Sequence, residues 1–224
     1  MSLKGKVALI TGASEVPAST IAVALARAGV KVAVEGAAGV QERVLRTVET
    51  FGGDALPVRG DVVNESDVNH ILSNVEAILG PVDILVNASG IRLSKSLGDT
   101  SAEEWDRVLG SKARAAFLCS RAVIPGMKQR GGGHVISISS AQALHGEANQ
   151  TALCASEHAL IGFNHALARE VSGSGIRVSL LIPGGSIEGQ EGSKGMDPED
   201  IAQGVVYLAS QTGPSSGAQL IVRP

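Results

Sequence analysis

Short β-branched runs alternate with helix-period patterns along the whole chain. "KVALIT" (6–11), "VKVAVE" (30–35), "ALPVRG" (55–60), "VDILVN" (82–87), "HVISIS" (134–139), "IRVSLLI" (176–182) and "QLIVR" (219–223) read as strands. Between them lie helical patterns near 17–28, 39–51, 65–79, 101–129, 150–172 and 198–210. Seven strands joined by six helical crossovers predict an α/β fold, a doubly wound Rossmann-type parallel sheet with helices on both faces. No Pro/Gly/Ser-rich linker divides the chain and no internal repeat is visible, so residues 1–224 read as one domain.

Composition sharpens this picture in two places. Aromatic residues make up only 2% of a chain of 224 residues that is 44% hydrophobic, so the core has to be assembled from Ala, Val, Leu and Ile. Such a core suits parallel strands covered by closely packed helices. A formal charge of −3 gives no reason to expect nucleic acid or an anionic membrane surface as partner. No apolar run is long enough to span a bilayer, and no secretory leader is recognisable at the N-terminus, so a cytoplasmic protein is expected. Cys119 and Cys154 each fall inside a helical pattern without metal-ligand spacing, and read as free thiols.

The first strand runs into "TGASEVPAST". In a dinucleotide-binding fold, glycines in this turn let the backbone approach a pyrophosphate, and helix N-terminal N–H groups donate to it. The stretch resembles the TGxxxGxG turn of the short-chain dehydrogenase/reductase family in part. Thr11 and Gly12 match, whereas Val16 and Ala18 stand where the second and third glycines would be. A β-branched side chain at Val16 would project toward the phosphate space. Pro17 removes a backbone donor, and Glu15 places a negative charge beside any phosphate.

The resemblance continues through Asp61 in "GDV", Asn87 and Gly90 in "NASG", "GGGHVISISS", "HALIGF", "IRVSLLIPG" and "DPEDIAQGVVYLAS". It implies cofactor contacts at Gly12, Asp61, Asn87 and Gly90, vestigial or weak. No cofactor is expected to bind tightly, with NAD or NADP as the candidates. "VEGAAG" after the second strand offers no clear ribose-binding aspartate and no arginine for a 2′-phosphate; Glu35 lies close to that position, with the register open by one residue.

The family's catalytic pair is the YxxxK tyrosine and lysine, assisted by a serine and an asparagine. Carried over by position, the serine is Ser140, the tyrosine is Leu153, the lysine is Glu157 and the asparagine is Lys112. Leucine cannot pass a proton, and glutamate cannot supply the positive charge that depresses a phenol pKa. The single tyrosine, Tyr207, falls in the last helix, where the pattern assigns it to packing. Cys154, His158 and His145 offer a conceivable replacement nucleophile, with packing and polar-edge roles as the plainer reading. The segment 183–198 reads as a shortened, bare substrate lid rich in Gly, Ser and charge.

Two functional readings follow. The chain resembles a degenerate family member: the non-catalytic partner subunit of an NAD(P)H-dependent ketoreductase, of the kind found in the two-chain reductases of aminocoumarin antibiotic pathways. It would then form a homo- or hetero-oligomer, with a catalytically active relative as the expected partner, through the helices at 101–129 and 150–172. Ala152, Ala155, Ala159, Gly162 and Ala166 form a small-residue stripe on the second of these, half of it expected to pack on the chain's own sheet. The alternative is an NAD(P)-dependent oxidoreductase with a rearranged or partner-completed site. Lys112 and Glu157 interrupt otherwise largely apolar stripes, and either meet as an ion pair or reach separately into an open cleft.

Overall fold

The computed structural model describes residues 2–13, 16–187, 195–213 and 216–223. Seven strands form a single parallel sheet: β1 (Val7–Thr11), β2 (Lys31–Glu35), β3 (Ala55–Val58), β4 (Ile84–Asn87), β5 (Gly133–Ile138), β6 (Ile176–Pro183) and β7 (Ala218–Val222). Their order is β3-β2-β1-β4-β5-β6-β7. The expected architecture is therefore present. The order reverses between β1 and β4, and a crevice opens beyond the carboxyl ends of those strands.

The helices are α1 (Ala18–Arg27), α2 (Ala38–Glu49), α3 (Glu65–Ile78), α4 (Ala102–Leu109), α5 (Ala115–Gln129), α6 (Thr151–Glu170) and α7 (Pro198–Ser210). Alternation along the strands divides the core between the two faces of the sheet. Ile10, Ile136 and Leu181 pack with α1 and α7 through Leu25 and Ile201. Leu9, Leu85, Val135 and Val178 pack on the other face with Met127 of α5 and Val171 beyond α6. Polar side chains start several helices where the first N–H groups lack partners. Asn64 accepts from Ser66 N and Asp67 N, Ser101 and Glu104 form a capping box, and Asp197 accepts from Glu199 N ahead of Pro198.

The single helix expected over 101–129 is broken. Between α4 and α5 lies a π-helical segment, Gly110–Arg114. Ser111 Oγ donates to the Val108 carbonyl at 2.8 Å, competing for an oxygen of the α-helical ladder. The wider turn resets the phase of the apolar stripe. Val108 is the buried residue of α4, Trp105 and Leu109 being only half-buried, and Lys112, Ala116, Cys119 and Val123 are buried after it.

Helix α1, expected near 17–28, begins at Ala18, with Pro17 as its flanking residue. Two smaller expectations change. Tyr207 is 57% exposed, on the solvent face of α7, and does not pack in the core. On α6 only Ala152 of the small-residue stripe is buried, while Ala159, Gly162 and Ala166 face solvent. At the two ends of the sheet, β3 carries Pro57, a residue that edge strands admit because no ladder bond is lost, and β7 exposes Gln219 and Ile221.

At the opposite end from the crevice, the turns before β5 and β6 press together. Gly175 has φ +77°, and a Cβ there would run into the Gly131 carbonyl. Gly173 has φ +80° but open space around it. Gly175→Ala is accordingly expected to cost about 3 kcal/mol and Gly173→Ala about 1 kcal/mol, because only the first adds a backbone collision to the left-handed strain. Urea denaturation of both variants checks the difference.

Candidate functional site

The register brings the ends of β1, β4 and β5 level. Thr11 lies opposite Asn87, and Asn87 opposite Ser137. The segments that leave these strands therefore converge on one cleft of about 1260 Å³. Its lining includes Gly12, Val16, Pro17, Ala18, Glu35, Asp61, Gly90, Lys112, Ser139, Ser140, Leu153 and Glu157.

The turn after β1 is pinned to β4. Thr11 Oγ1 donates to Val86 O at 3.4 Å and accepts from Ala88 N at 3.3 Å. Gly12 has φ +73°, and a Cβ there would lie 2.5 Å from Ser89 Cα, so glycine is required by this close approach. Both of the turn's first N–H groups are taken by one residue. Gly12 N donates to Glu35 Oε2 at 2.9 Å, and Ala13 N donates to the Glu35 backbone carbonyl at 2.8 Å. Burial raises the Glu35 pKa above the ordinary carboxylate value; the Gly12 N–H opposes this, and the nearby charge of Asp61 adds to it.

Asp61 sits at the rim, exposed, with Oδ1 accepting from Val63 N at 3.0 Å and its own N–H bonded to Asp67 Oδ2 at 2.8 Å. Asn87 is buried and donates to Ser120 Oγ at 3.3 Å; its Oδ1 is buried without a partner among the described residues. Glu15, expected to set a charge beside this turn, lies outside the described residues.

The catalytic positions of the family pattern meet on the other side of the cleft. Lys112 reaches across from the π segment, and its Nζ lies 2.7 Å from Glu157 Oε1. The two side chains are only 10% and 1% exposed. The Lys112 ammonium also donates to Ile138 O at 3.4 Å, and its stem crosses Gly90 so closely that a Cβ there would lie 2.7 Å from Cε. Ser139 Oγ donates to the second carboxylate oxygen, Glu157 Oε2, at 2.7 Å. Of the two arrangements open in the sequence, the direct ion pair is the one adopted.

One turn before Glu157 on α6, Leu153 is 94% buried (6% exposed) and turns an apolar surface to the cleft. Ser140 stands apart from the ion pair and donates to Gln142 Oε1 at 2.9 Å. No replacement nucleophile is assembled among the described residues. His158 Nδ1 bonds the Cys154 backbone carbonyl at 2.8 Å, His145 is exposed, and burial pushes the Cys119 thiol up to about 12. No group of three or more His, Cys, Asp or Glu among the described residues could hold a metal ion. No helix among them is long and apolar enough to cross a membrane.

The centre of the lid segment, residues 188–194, lies outside the described residues. Its flanks are not the bare connection expected. Ile187 and Met196 are both 3% exposed and form a β-bridge, and Met196 N donates to Ser186 O at 2.8 Å. Each is an isolated apolar residue amid Gly, Ser and charge, and so gives no periodic signal. Sequence reasoning also passed over Ser139, the neighbour of the residue it chose, and Glu35 as the partner of the Gly12 turn. The strand alternation that places Val34 inward and Glu35 at the strand end was the available sign of the second.

Comparison with known proteins agrees with this geometry. The model of the short chain dehydrogenase family matches residues 6–189, and the chain belongs to that family. It is 34% identical over 184 residues to a 3-oxoacyl-[acyl-carrier-protein] reductase of Salmonella typhimurium, covering 82% of this chain and 75% of that one. An uncharacterised oxidoreductase of Staphylococcus haemolyticus is 28% identical over 229 residues, covering 99% and 98%. Among solved structures, a metagenomic short-chain oxidoreductase in complex with NADP superposes with a TM-score of 0.90 at 31% identity, covering 100% of this chain and 99% of that one. A short-chain type dehydrogenase/reductase from Mycobacterium marinum gives 0.91 at 30%, covering 99% and 95%.

The ion pair makes a specific prediction. Removing one partner, as in Lys112→Met or Glu157→Gln, leaves an uncompensated or half-satisfied buried group and is expected to cost about 3–5 kcal/mol. The double variant Lys112→Met/Glu157→Leu should recover most of that loss. A double-mutant cycle by chemical denaturation measures the coupling.

Proposed function

We propose that this chain is a non-catalytic member of the short-chain dehydrogenase/reductase family, serving as the partner subunit of an NAD(P)H-dependent ketoreductase in the cytoplasm. The observation that carries this reading is the buried Lys112–Glu157 pair beside Leu153. At the three places where the family pattern sets an asparagine, a tyrosine and a lysine, the chain has a structural ion pair and an apolar wall. None of the three can deliver a proton to a carbonyl oxygen as a phenol would.

Tight cofactor binding is not part of this reading. The first two N–H groups of the phosphate turn are engaged by Glu35, and the Lys112 stem lies across Gly90. The Lys112 stem across Gly90 supports weak binding at most, because a dinucleotide would have to displace it. A relative described as a 3-oxoacyl-[acyl-carrier-protein] reductase supports a carrier-protein-tethered ketone as the substrate of the complex, with chemistry supplied by the active subunit. A partner-completed oxidoreductase is the second reading, favoured by Ser140 and the size of the retained cleft.

The exposed small residues of α6, Ala159, Gly162 and Ala166, permit close approach of another helix, and Phe117 on α5 is 44% exposed. Self-association, or pairing with an active relative, through α5 and α6 is the corresponding proposal. Light scattering is expected to show a species larger than the monomer, alone or with a co-expressed active relative, and Ala166→Arg should dissociate it. A strict monomer under both conditions would count against the subunit role.

Activity tests the central claim. The purified chain is expected to oxidise neither NADH nor NADPH in the presence of ketone substrates, and Leu153→Tyr with Glu157→Lys should not restore turnover. Turnover by the unmodified chain, after contaminating reductase is excluded, would overturn the non-catalytic reading.

A further inference from the structure

We propose that the groove under the amino ends of β1, β4, β5 and β6 is a second binding site, one that takes the phosphate group of a small organic phosphate. It lies at the opposite end of the sheet from the cleft and does not depend on the reading above.

The groove encloses about 700 Å³, within the range of small-molecule sites. Lys6, Asp83, Arg130, His134 and Arg177 line it. The turns before β5 and β6 leave the space clear, since Gly132, Gly173 and Gly175 border it without side chains. His134 lies opposite Arg177 in the β5–β6 register, so the two side chains leave the same face of the sheet.

Three cations meet one carboxylate here, Lys6, Arg130 and Arg177 against Asp83, and that carboxylate is already engaged. Asp83 Oδ1 pairs with Lys6 Nζ at 3.0 Å, and Oδ2 accepts from Val7 N at 3.0 Å. Both guanidiniums rest on main-chain carbonyls, which leave their charge uncompensated. Arg130 donates to Val82 O at 2.7 Å, and Arg177 donates to the carbonyl oxygens of Gln211 and Ala209. Neither forms an ion pair among the described residues; Glu76 comes near Arg130 beside Gly126 but stays outside that range. A guanidinium has more N–H donors than these bonds use. Arg177 is half-buried and burial lowers its pKa, so an anion beside it would favour the charged form.

His134 adds an open polar position. It is 2% exposed, its Nε2 is bonded to Ser179 Oγ at 2.9 Å, and its Nδ1 has no partner among the described residues. Burial, and then the charge of Arg177, lower its pKa to about 3, so the ring is neutral. A phosphate ester suits this set. It carries about two negative charges near neutral pH, matching two unpaired guanidiniums, and its oxygens accept in the fork geometry that arginine presents. Leu3, Ile84 and Ile176 offer apolar surface to the organic body.

The test is calorimetric titration of phenyl phosphate and of inorganic phosphate into the wild-type chain, Arg130→Gln, Arg177→Lys and Arg43→Gln, a control at the other cleft. Phenyl phosphate is expected to bind saturably and more tightly than inorganic phosphate. Arg130→Gln and Arg177→Lys should each weaken it about tenfold, by loss of a charge-assisted contact, and Arg43→Gln should leave it unchanged. The amide resonances of Gly132 and Gly175 should move on titration while those of Gly12 and Gly90 stay still. Arg130 is exposed, so its variant keeps the test decisive if Arg177→Lys folds poorly. No saturable binding at millimolar phenyl phosphate, unchanged affinity in Arg130→Gln, or shifts confined to Gly12 and Gly90 would overturn the proposal. None of these results bears on the non-catalytic reading.

Discussion

Two opposite charges buried in the same crevice govern how this structure closes. Lysine and glutamate almost never enter a protein interior unless paired, and the side chains of Lys112 and Glu157 are only 10% and 1% exposed. Their attraction across the cleft holds the π segment against α6, and through it the two halves of the broken helix. The remaining oxygen of the carboxylate is satisfied by Ser139, the residue that follows β5. The pair therefore links the π segment and α6 to the segment that leaves β5. A buried ion pair gains little over a well-packed apolar contact, whereas breaking it by removing one partner is costly.

The other side of the crevice follows the same logic with a different partner. Backbone N–H groups that cannot stay unpaired are bonded by the nearest strand end. In both halves of the cleft, polar groups are matched within the chain: Gly12 N with Glu35, and Lys112 with Glu157. The cleft keeps its volume, but much of its hydrogen-bonding capacity is spent within the chain.

Much of this was readable before any coordinates. Short apolar, β-branched runs such as "VALI" and "DILV" marked the strands against helix-period patterns, because parallel strands buried on both faces leave continuous apolar runs. That Leu153 and Glu157 stand at the spacing of the family pattern was readable too, because identity at a spacing is a sequence property. What could not be read was direction. Ser139 and Ser140 are adjacent and chemically identical, and only the twist at the end of β5 decides which hydroxyl meets Glu157. The π segment left no mark that a 3.6-residue period could register, since one inserted residue resembles ordinary irregularity in a stripe. Ile187 and Met196 are buried by a bridge between residues far apart in a polar segment, which no local pattern encodes.

The Lys112–Glu157 pair also bears on how readily this chain could adopt the residues of the family pattern. Changing Glu157 to lysine alone would set two ammonium groups against each other in a space that hardly admits water. Changing Lys112 to asparagine alone would strand a carboxylate beside Ser139 with a neutral neighbour. Either single step passes through a less stable protein, and Leu153 offers no compensation along the way. The family pattern is therefore reached from this site only when both charged positions change together, because either single change leaves a buried charge without its partner.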